Sequence, residues 1–179
     1  MAKDEGDDRF GGLRGEPVFL LPTPVTVLVG AMMALVVLRS FLAPAADQDF
    51  VYGFGFVPDR YALDGGGTDY PGGAGALAWT FLTYAFLHEG WAHLLINAAM
   101  LAALARPVLE RTGAGRFFAF LAAATIGGAL GHLAVAWGSE APMIGASGTV
   151  SGLLGALMRF VFRPGWMPAA GIVESLREP

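Results

Sequence analysis

Four apolar stretches constrain the fold of this 179-residue chain more than any other feature of its sequence. They cover about residues 23–42, 91–109, 117–137 and 147–162. A membrane-spanning helix needs roughly 20 mainly apolar residues, so the stretches predict four spans, and the shorter fourth is expected to begin or end inside the protein. Only 15% of the residues are charged, against about a quarter in soluble domains. We therefore predict an all-α polytopic membrane protein.

The segments outside the spans predict two further regions. Residues 1–22 are rich in acidic residues, which is wrong for the basic start of a signal peptide. We expect them to form a disordered cytoplasmic leader that precedes a membrane domain over residues 23–179. Residues 43–87 are rich in Gly and Asp until the apolar run LAWTFLTYAFL, whose 11 residues are too few to span a bilayer. This run predicts an interfacial or re-entrant element.

The charges between the spans predict the orientation of the chain. Arg106, Arg111 and Arg116 flank the connection between the second and third spans, whereas residues 43–87 and the loop with Glu140 are acidic. Because cytoplasmic segments of membrane proteins are enriched in Lys and Arg, the N-terminus is predicted in the cytoplasm and the acidic segments outside. The net charge of −4 gives no indication of nucleic-acid binding.

The stretch FLHEGWAHLLIN has the composition of a zinc-protease helix but not its spacing. Such a helix places two histidines four residues apart, whereas His88 and His93 are five apart and project about 140° from each other. We therefore predict no metal site. His93 and Asn97 do have the four-residue spacing and share one helix face. The simplest role for this polar pair is hydrogen bonding between helices.

The stretch IGASGTVSGLLGA begins the fourth span and places Ser147 between Ala146 and Gly148. Small neighbours leave the hydroxyl accessible, and the free N–H groups at a helix start favour a developing oxyanion. The simpler alternative is that Ser147 is only the N-cap of the helix. The small residues Gly148, Gly152 and Ala156 form a ridge for close packing against another helix.

The predicted orientation places Ser147, His93 and Asn97 on the same side of the membrane at similar depth. A serine hydroxyl, two side-chain hydrogen-bond donors and a helix N-terminus are most of the parts of an acyl-transfer site. The residues alone thus leave two interpretations open, a catalytic site and a set of structural polar contacts.

Over residues 53–163 the sequence resembles the rhomboid family of intramembrane serine proteases. HEGWAHLLIN resembles the family's His-x-x-x-Asn helix, LERTGAGRF its Glu-containing turn, and GASG its Gly-x-Ser-Gly motif. The resemblance implies a partial rhomboid helical bundle with four of the usual six transmembrane helices. It also implies a long first outer loop that is partly embedded in the membrane.

The resemblance also assigns roles to individual residues. Ser147 resembles the nucleophile, and His93 and Asn97 resemble the side chains that stabilise the oxyanion together with the Ser147 backbone N–H. Glu110 resembles the residue that holds the cytoplasmic turn, and His88 resembles a structural histidine at the start of the helix.

One departure from the family concerns the base of its Ser-His dyad, which lies on the sixth helix. His88, His93 and His132 all precede Ser147, and His132 is by default a buried polar contact. We therefore expect that the last two helices are missing from this chain and that it is inactive as given. The ridge on the fourth span would then lack the helix it packs against.

These features predict an intramembrane serine endopeptidase that cleaves single-span membrane proteins near the outer membrane face, without metal or cofactor. Its partners would be these substrates and the lipid bilayer, with no nucleic acid. The Ala- and Gly-rich composition is typical of a bacterial protein, which places it in the inner membrane. The alternative is a non-catalytic rhomboid-like module that binds membrane clients. An unrelated four-helix scaffold would leave the combination of motifs unexplained.

Overall fold

The computed structural model describes residues 22–62 and 69–161, and most of this part is helical. Two single 3-10 turns, Pro58–Tyr61 and Tyr84–Phe86, accompany the α-helices. No strand occurs within the described ranges, where an isolated antiparallel bridge joins Phe56 to Met143. The prediction of an all-α fold is confirmed. The helices are α1 Thr23–Ser40, α2 Pro44–Phe54, α3 Gly73–Thr83, α4 Trp91–Thr112, α5 Ala114–Val135 and α6 Ser147–Val161.

Three of these helices, α1, α4 and α5, are long and apolar enough to cross a membrane. The fourth predicted span corresponds to α6, which begins at Ser147 and is described as far as Val161. The second predicted span ended near residue 109, but α4 continues through Pro107 to Thr112. A proline removes a single backbone hydrogen bond, and here the helix resumes beyond it. The predicted leader lies outside the described residues except for Pro22.

The segment between the first two spans folds into α2, α3 and the two 3-10 turns. The apolar run LAWTFLTYAFL forms most of α3 and the turn that follows. Side chains of α3 bind the C-terminal end of α2: Trp79 Nε1 donates to the Gly53 carbonyl at 2.9 Å, and Thr83 Oγ1 donates to that of Phe54 at 2.6 Å. The two short helices therefore form one folded unit.

The apolar core lies around α4, which packs against α1, α5 and α6. Leu94 and Leu101 of α4 are almost fully buried and belong to one apolar cluster with Val25 of α1, Phe117 of α5 and Leu153 of α6. Large apolar side chains also lie on the outside of the bundle, where the bilayer replaces water as their surroundings. Helix α4 is therefore the element against which the others are positioned.

The small-residue ridge of α6 packs against α5, so the expectation that it lacks a partner helix is wrong. A Cβ atom at Gly148 would lie 3.2 Å from the Cα of Gly128, and one at Gly152 would lie 2.4 Å from the Cβ of Ala124. A buried hydrogen bond of 2.6 Å between the hydroxyls of Thr125 and Thr149 joins the same two helices. Small residues let the backbones approach this closely, and α5 supplies the matching surface.

Candidate active site

The N-terminus of α6 places Ser147 at the first helical position. The Val150 amide donates to the Ala146 carbonyl at 2.9 Å, which makes Ala146 and not Ser147 the residue before the first turn. The amides of the first turn have no acceptor within the helix, and the Ser147 side chain is exposed. The alternative that Ser147 serves only as an N-cap therefore does not describe this helix.

The turn before α6 is held by Gly145, which has a φ of +114°. Its amide donates to the Tyr84 carbonyl at 2.9 Å, and this contact fixes the turn to the end of α3. Glycine adopts a positive φ without steric cost. The turn thereby directs the start of α6 toward α4.

The His93 side chain lies against this turn. It contacts Gly145, which is two residues before Ser147 in the sequence. A Cβ atom at Gly145 would lie 2.7 Å from both Cε1 and Nε2 of the His93 ring. The imidazole thus occupies the space that only a glycine leaves open. The structure brings together the histidine of α4 and the serine turn of α6, two features 54 residues apart in the sequence.

Asn97 lies one turn after His93 on α4 and is 6% exposed. Its Nδ2 donates to the His93 carbonyl at 3.0 Å. An amide nitrogen carries two N–H groups, so one of them remains for another acceptor. Within the described residues no hydrogen bond links Asn97 to another helix, so the interhelical contact considered for this pair is not what the structure shows.

His88 lies in the segment between α3 and α4 and is 1% exposed. Its Nδ1 is 3.4 Å from the Phe86 carbonyl, and no partner for the buried Nε2 is found in the described part of the chain. The His88 and His93 rings are 5.0 Å apart with an interplanar angle of 68°. Burial, and then the neighbouring His93, lowers the pKa of His88 to about 4. His88 is therefore neutral at pH 7.

An ion pair holds the His88 segment in place. Arg39, at the end of α1, binds both carboxylate oxygens of Asp47 at 2.6 and 3.0 Å and donates from Nη1 to the His88 carbonyl at 2.7 Å. One side chain thus joins α1, α2 and the segment that leads into α4. Sequence reasoning missed this contact, because the partners are 8 and 49 residues apart and no local pattern signals them.

The other residues singled out from the sequence lie elsewhere. His132 is half-buried near the end of α5, and among the described residues no hydrogen bond joins it to Ser147. Glu110 accepts a hydrogen bond from Arg106 Nε at 2.7 Å, one turn back along α4. No three His, Cys, Asp or Glu side chains within the described ranges are placed to hold a metal ion.

The fold and this site define a helical membrane domain in which the turn before an exposed serine at a helix start packs against a histidine of a spanning helix. The Rhomboid domain family model matches residues 76–166, half of the chain. The chain therefore belongs to the rhomboid family, a family of intramembrane proteases, and the resemblance seen in the sequence is confirmed.

Sequence similarity to a known rhomboid protease supports the same family assignment. The chain is 39% identical over 80 residues to the rhomboid protease GluP of Bacillus subtilis (strain 168). This alignment covers 45% of the chain and 15% of the relative. The aligned part of the chain thus spans a small part of that protein's length.

Proposed function

We propose that the protein is an intramembrane serine endopeptidase with Ser147 as its nucleophile. The observation that carries this proposal is the contact between the His93 ring and Gly145, two residues before Ser147. Polar groups are costly inside a membrane and tend to mark functional sites. An exposed serine with a free helix N-terminus beside an imidazole is an arrangement suited to acyl transfer.

In the proposed reaction the Ser147 Oγ attacks the carbonyl carbon of the scissile peptide bond and gives its proton to a base. The negative charge that develops on the carbonyl oxygen is stabilised by the free amides at the start of α6, by His93 and by the second N–H of Asn97. The base then protonates the departing amine, and water hydrolyses the acyl-enzyme. A histidine as base is what the family resemblance implies, and we assign this role to none of His88, His93 and His132.

The proposed substrates are single-span membrane proteins, cleaved near the outer membrane face. The proposed setting is the bacterial inner membrane with the N-terminus in the cytoplasm. Support comes from the charge distribution, since the arginines and the acidic segments alternate between the two sides of the bundle. The three apolar helices show that the protein is integral to a membrane.

The test is a cleavage assay with a model single-span substrate. The enzyme is the protein purified from the cells that naturally produce it. Ser147→Ala should abolish cleavage, and His93→Ala or Asn97→Ala should slow it by about 10²–10³-fold, the usual loss for one oxyanion donor. Ser151→Ala is the matched control, because Ser151 is also exposed on α6 one turn further on. Normal cleavage by Ser147→Ala with loss in Ser151→Ala would refute the assignment.

The second candidate is a non-catalytic rhomboid-like module that binds membrane clients. It is favoured by the absence, among the described residues, of any hydrogen bond between an imidazole and the Ser147 hydroxyl. A serine without a base is a weak nucleophile, so the 179-residue chain alone should not react with a fluorophosphonate. If the cell-produced protein also fails to react but still binds single-span proteins, the non-catalytic function is the correct one.

A further inference from the structure

A cavity of about 210 Å³ lies where the end of α1, the start of α2 and the start of α4 meet. We name it the α1–α4 cavity. Polar side chains in its wall are Arg39, Ser40, Asp47, His88 and Glu89. One buried water needs only about 15 Å³ of such space. The α1–α4 cavity therefore has room for a polar group much larger than water, and the proposed peptidase chemistry does not use it.

Hydrogen-bond donors are available in the wall of this cavity. Of the five guanidinium N–H groups of Arg39, three bind Asp47 and the His88 carbonyl, which leaves two. The wall also includes Gly90 and Trp91, where α4 begins without a side-chain cap. The free amides and the positive dipole end of such a helix favour an anion. These donors suit a phosphate group.

The wall of the cavity also carries an unpaired negative charge. Glu89 is exposed and has no ion-pair partner in the described part of the chain. With Arg39 and Asp47 neutralising each other, the lining carries a net negative charge from Glu89. A ligand with one phosphate and one ammonium group fits this distribution better than a simple anion.

The position of the cavity identifies the source of such a ligand. Phe41, just after α1, is 82% exposed, and Trp91 at the start of α4 is 50% exposed. Tryptophans at the ends of spanning helices mark the level of lipid headgroups, so Trp91 places the cavity at that level. Val37 and Leu95, about one turn further into each span, are also exposed and offer an apolar surface for acyl chains.

We propose that the α1–α4 cavity binds the headgroup of a zwitterionic phospholipid. The lipid phosphate contacts Arg39 and the first amides of α4, and its ammonium group contacts Glu89. The acyl chains lie along the outer surfaces of α1 and α4. The bound lipid thereby joins the two spanning helices at the point from which α4 carries His93 toward Ser147.

The test is native mass spectrometry of the purified protein in detergent after addition of phosphatidylethanolamine, phosphatidylglycerol or a diacylglycerol with the same chains. We expect one retained phosphatidylethanolamine and about tenfold weaker retention of the other two lipids, the loss expected for one charge-assisted hydrogen bond. Ser40→Phe should fill the cavity and abolish retention without touching the Arg39 ion pair. Glu89→Lys should reverse the preference in favour of phosphatidylglycerol.

The control is Glu140→Lys, which makes the same charge change at an exposed residue that does not line the cavity and should leave the lipid preference unchanged. Equal retention of diacylglycerol would overturn the proposal, because binding would then depend on the acyl chains alone. Unchanged retention by Ser40→Phe would place the lipid elsewhere. Displacement of the lipid by millimolar inorganic phosphate would assign the site to a soluble anion instead.

Discussion

At the scale of single residues, Gly145 decides whether His93 can lie beside the serine turn. Gly145→Ala combines a strained φ of +114° with a Cβ atom 2.7 Å from the His93 ring. We expect it to lower the free energy of unfolding by about 1–3 kcal/mol and to displace His93, with a loss of cleavage. Thermal unfolding in detergent and the cleavage assay measure the two effects.

Two control variants separate the contributions of backbone strain and steric contact. Gly138 also has a positive φ, +70°, but a Cβ atom there would meet nothing within 4 Å. Gly138→Ala should therefore show the strain alone. Adding His93→Ala to Gly145→Ala should recover part of the lost stability, because the obstructing ring is gone. If that double variant is no more stable than Gly145→Ala, the contact with His93 is not the cause.

The neutral His88 predicts a dependence of stability on pH. Its pKa is about 4 in the folded protein and 6.5 as a free side chain, so the unfolded chain binds a proton in this range that the folded chain does not. The stabilising contribution is complete above pH 6.5 and is lost as the pH falls toward 4. Arg39 and His93, the charged and titratable neighbours of His88, both disfavour the imidazolium.

The measurement is the Tm at about pH 7.5 and pH 5 for the wild-type protein and His88→Gln. Glutamine retains polarity but does not titrate, so the variant should lose less Tm on acidification. Carboxylates titrate equally in both proteins and cancel in the comparison. An identical loss in the two proteins would show that His88 is accessible to protons in the folded state.

The residues differ in how far the sequence predicts their surroundings. The proximity of His93 and Ser147 follows from helix topology, because two helix starts on one side of a membrane lie at one depth. The ion pair of Arg39 with Asp47 does not follow, because it depends on how α2 folds back against α1. Long-range polar contacts of this kind leave no periodic pattern in the sequence.

At the scale of helices, the packing of α5 on α6 depends on small residues at matched positions. Gly152→Ala would place its Cβ 2.4 Å from that of Ala124 and should lower the free energy of unfolding by about 1–3 kcal/mol through overpacking. Gly155→Ala is the matched control on the same helix, since its Cβ would meet nothing within 4 Å. It should be neutral or slightly stabilising, because Ala favours helix more than Gly.

A compensating variant tests the same contact in the opposite direction. Ala124→Gly removes the methyl group that Gly152→Ala would meet, so the double variant should be more stable than Gly152→Ala alone. Stability is measured by thermal unfolding in detergent for the wild type, Gly152→Ala, Ala124→Gly and the double variant. Additive effects of the two substitutions would show that the two positions are not in contact.

The spanning helices were predictable, and the short helices less so. Apolar stretches of about 20 residues leave few alternatives to membrane helices. Helix α2, PAADQDFVYGF, is a polar helix in a Gly- and Asp-rich segment, and its clearest local signal is Pro44 at the helix start. The expectation that the α6 ridge lacks a partner helix is wrong, because spacing shows that small residues form a ridge but not which helix faces it.

At the scale of the whole molecule, the prediction concerns orientation in the membrane. Helix α5 has 22 residues and a length of about 33 Å, close to the thickness of a bilayer core. Its ends carry opposite charge, with Arg111 and Arg116 beside its start and Glu140 after its end. Since positive charge is retained in the cytoplasm, the start of α5 should lie inside and its end outside.

Reporter fusions at the two ends of α5 measure this orientation. A phosphatase that is active only after export should be active when fused after Gly138 and inactive when fused after Gly113. A fluorescent protein that folds only in the cytoplasm is the reciprocal control and should give the opposite signals. Because α6 starts at the same end of the bundle as α4, export after Gly138 places Ser147, His93 and the α1–α4 cavity toward the outer face. Reversed signals would instead direct the proposed cleavage and lipid binding to the cytoplasmic leaflet.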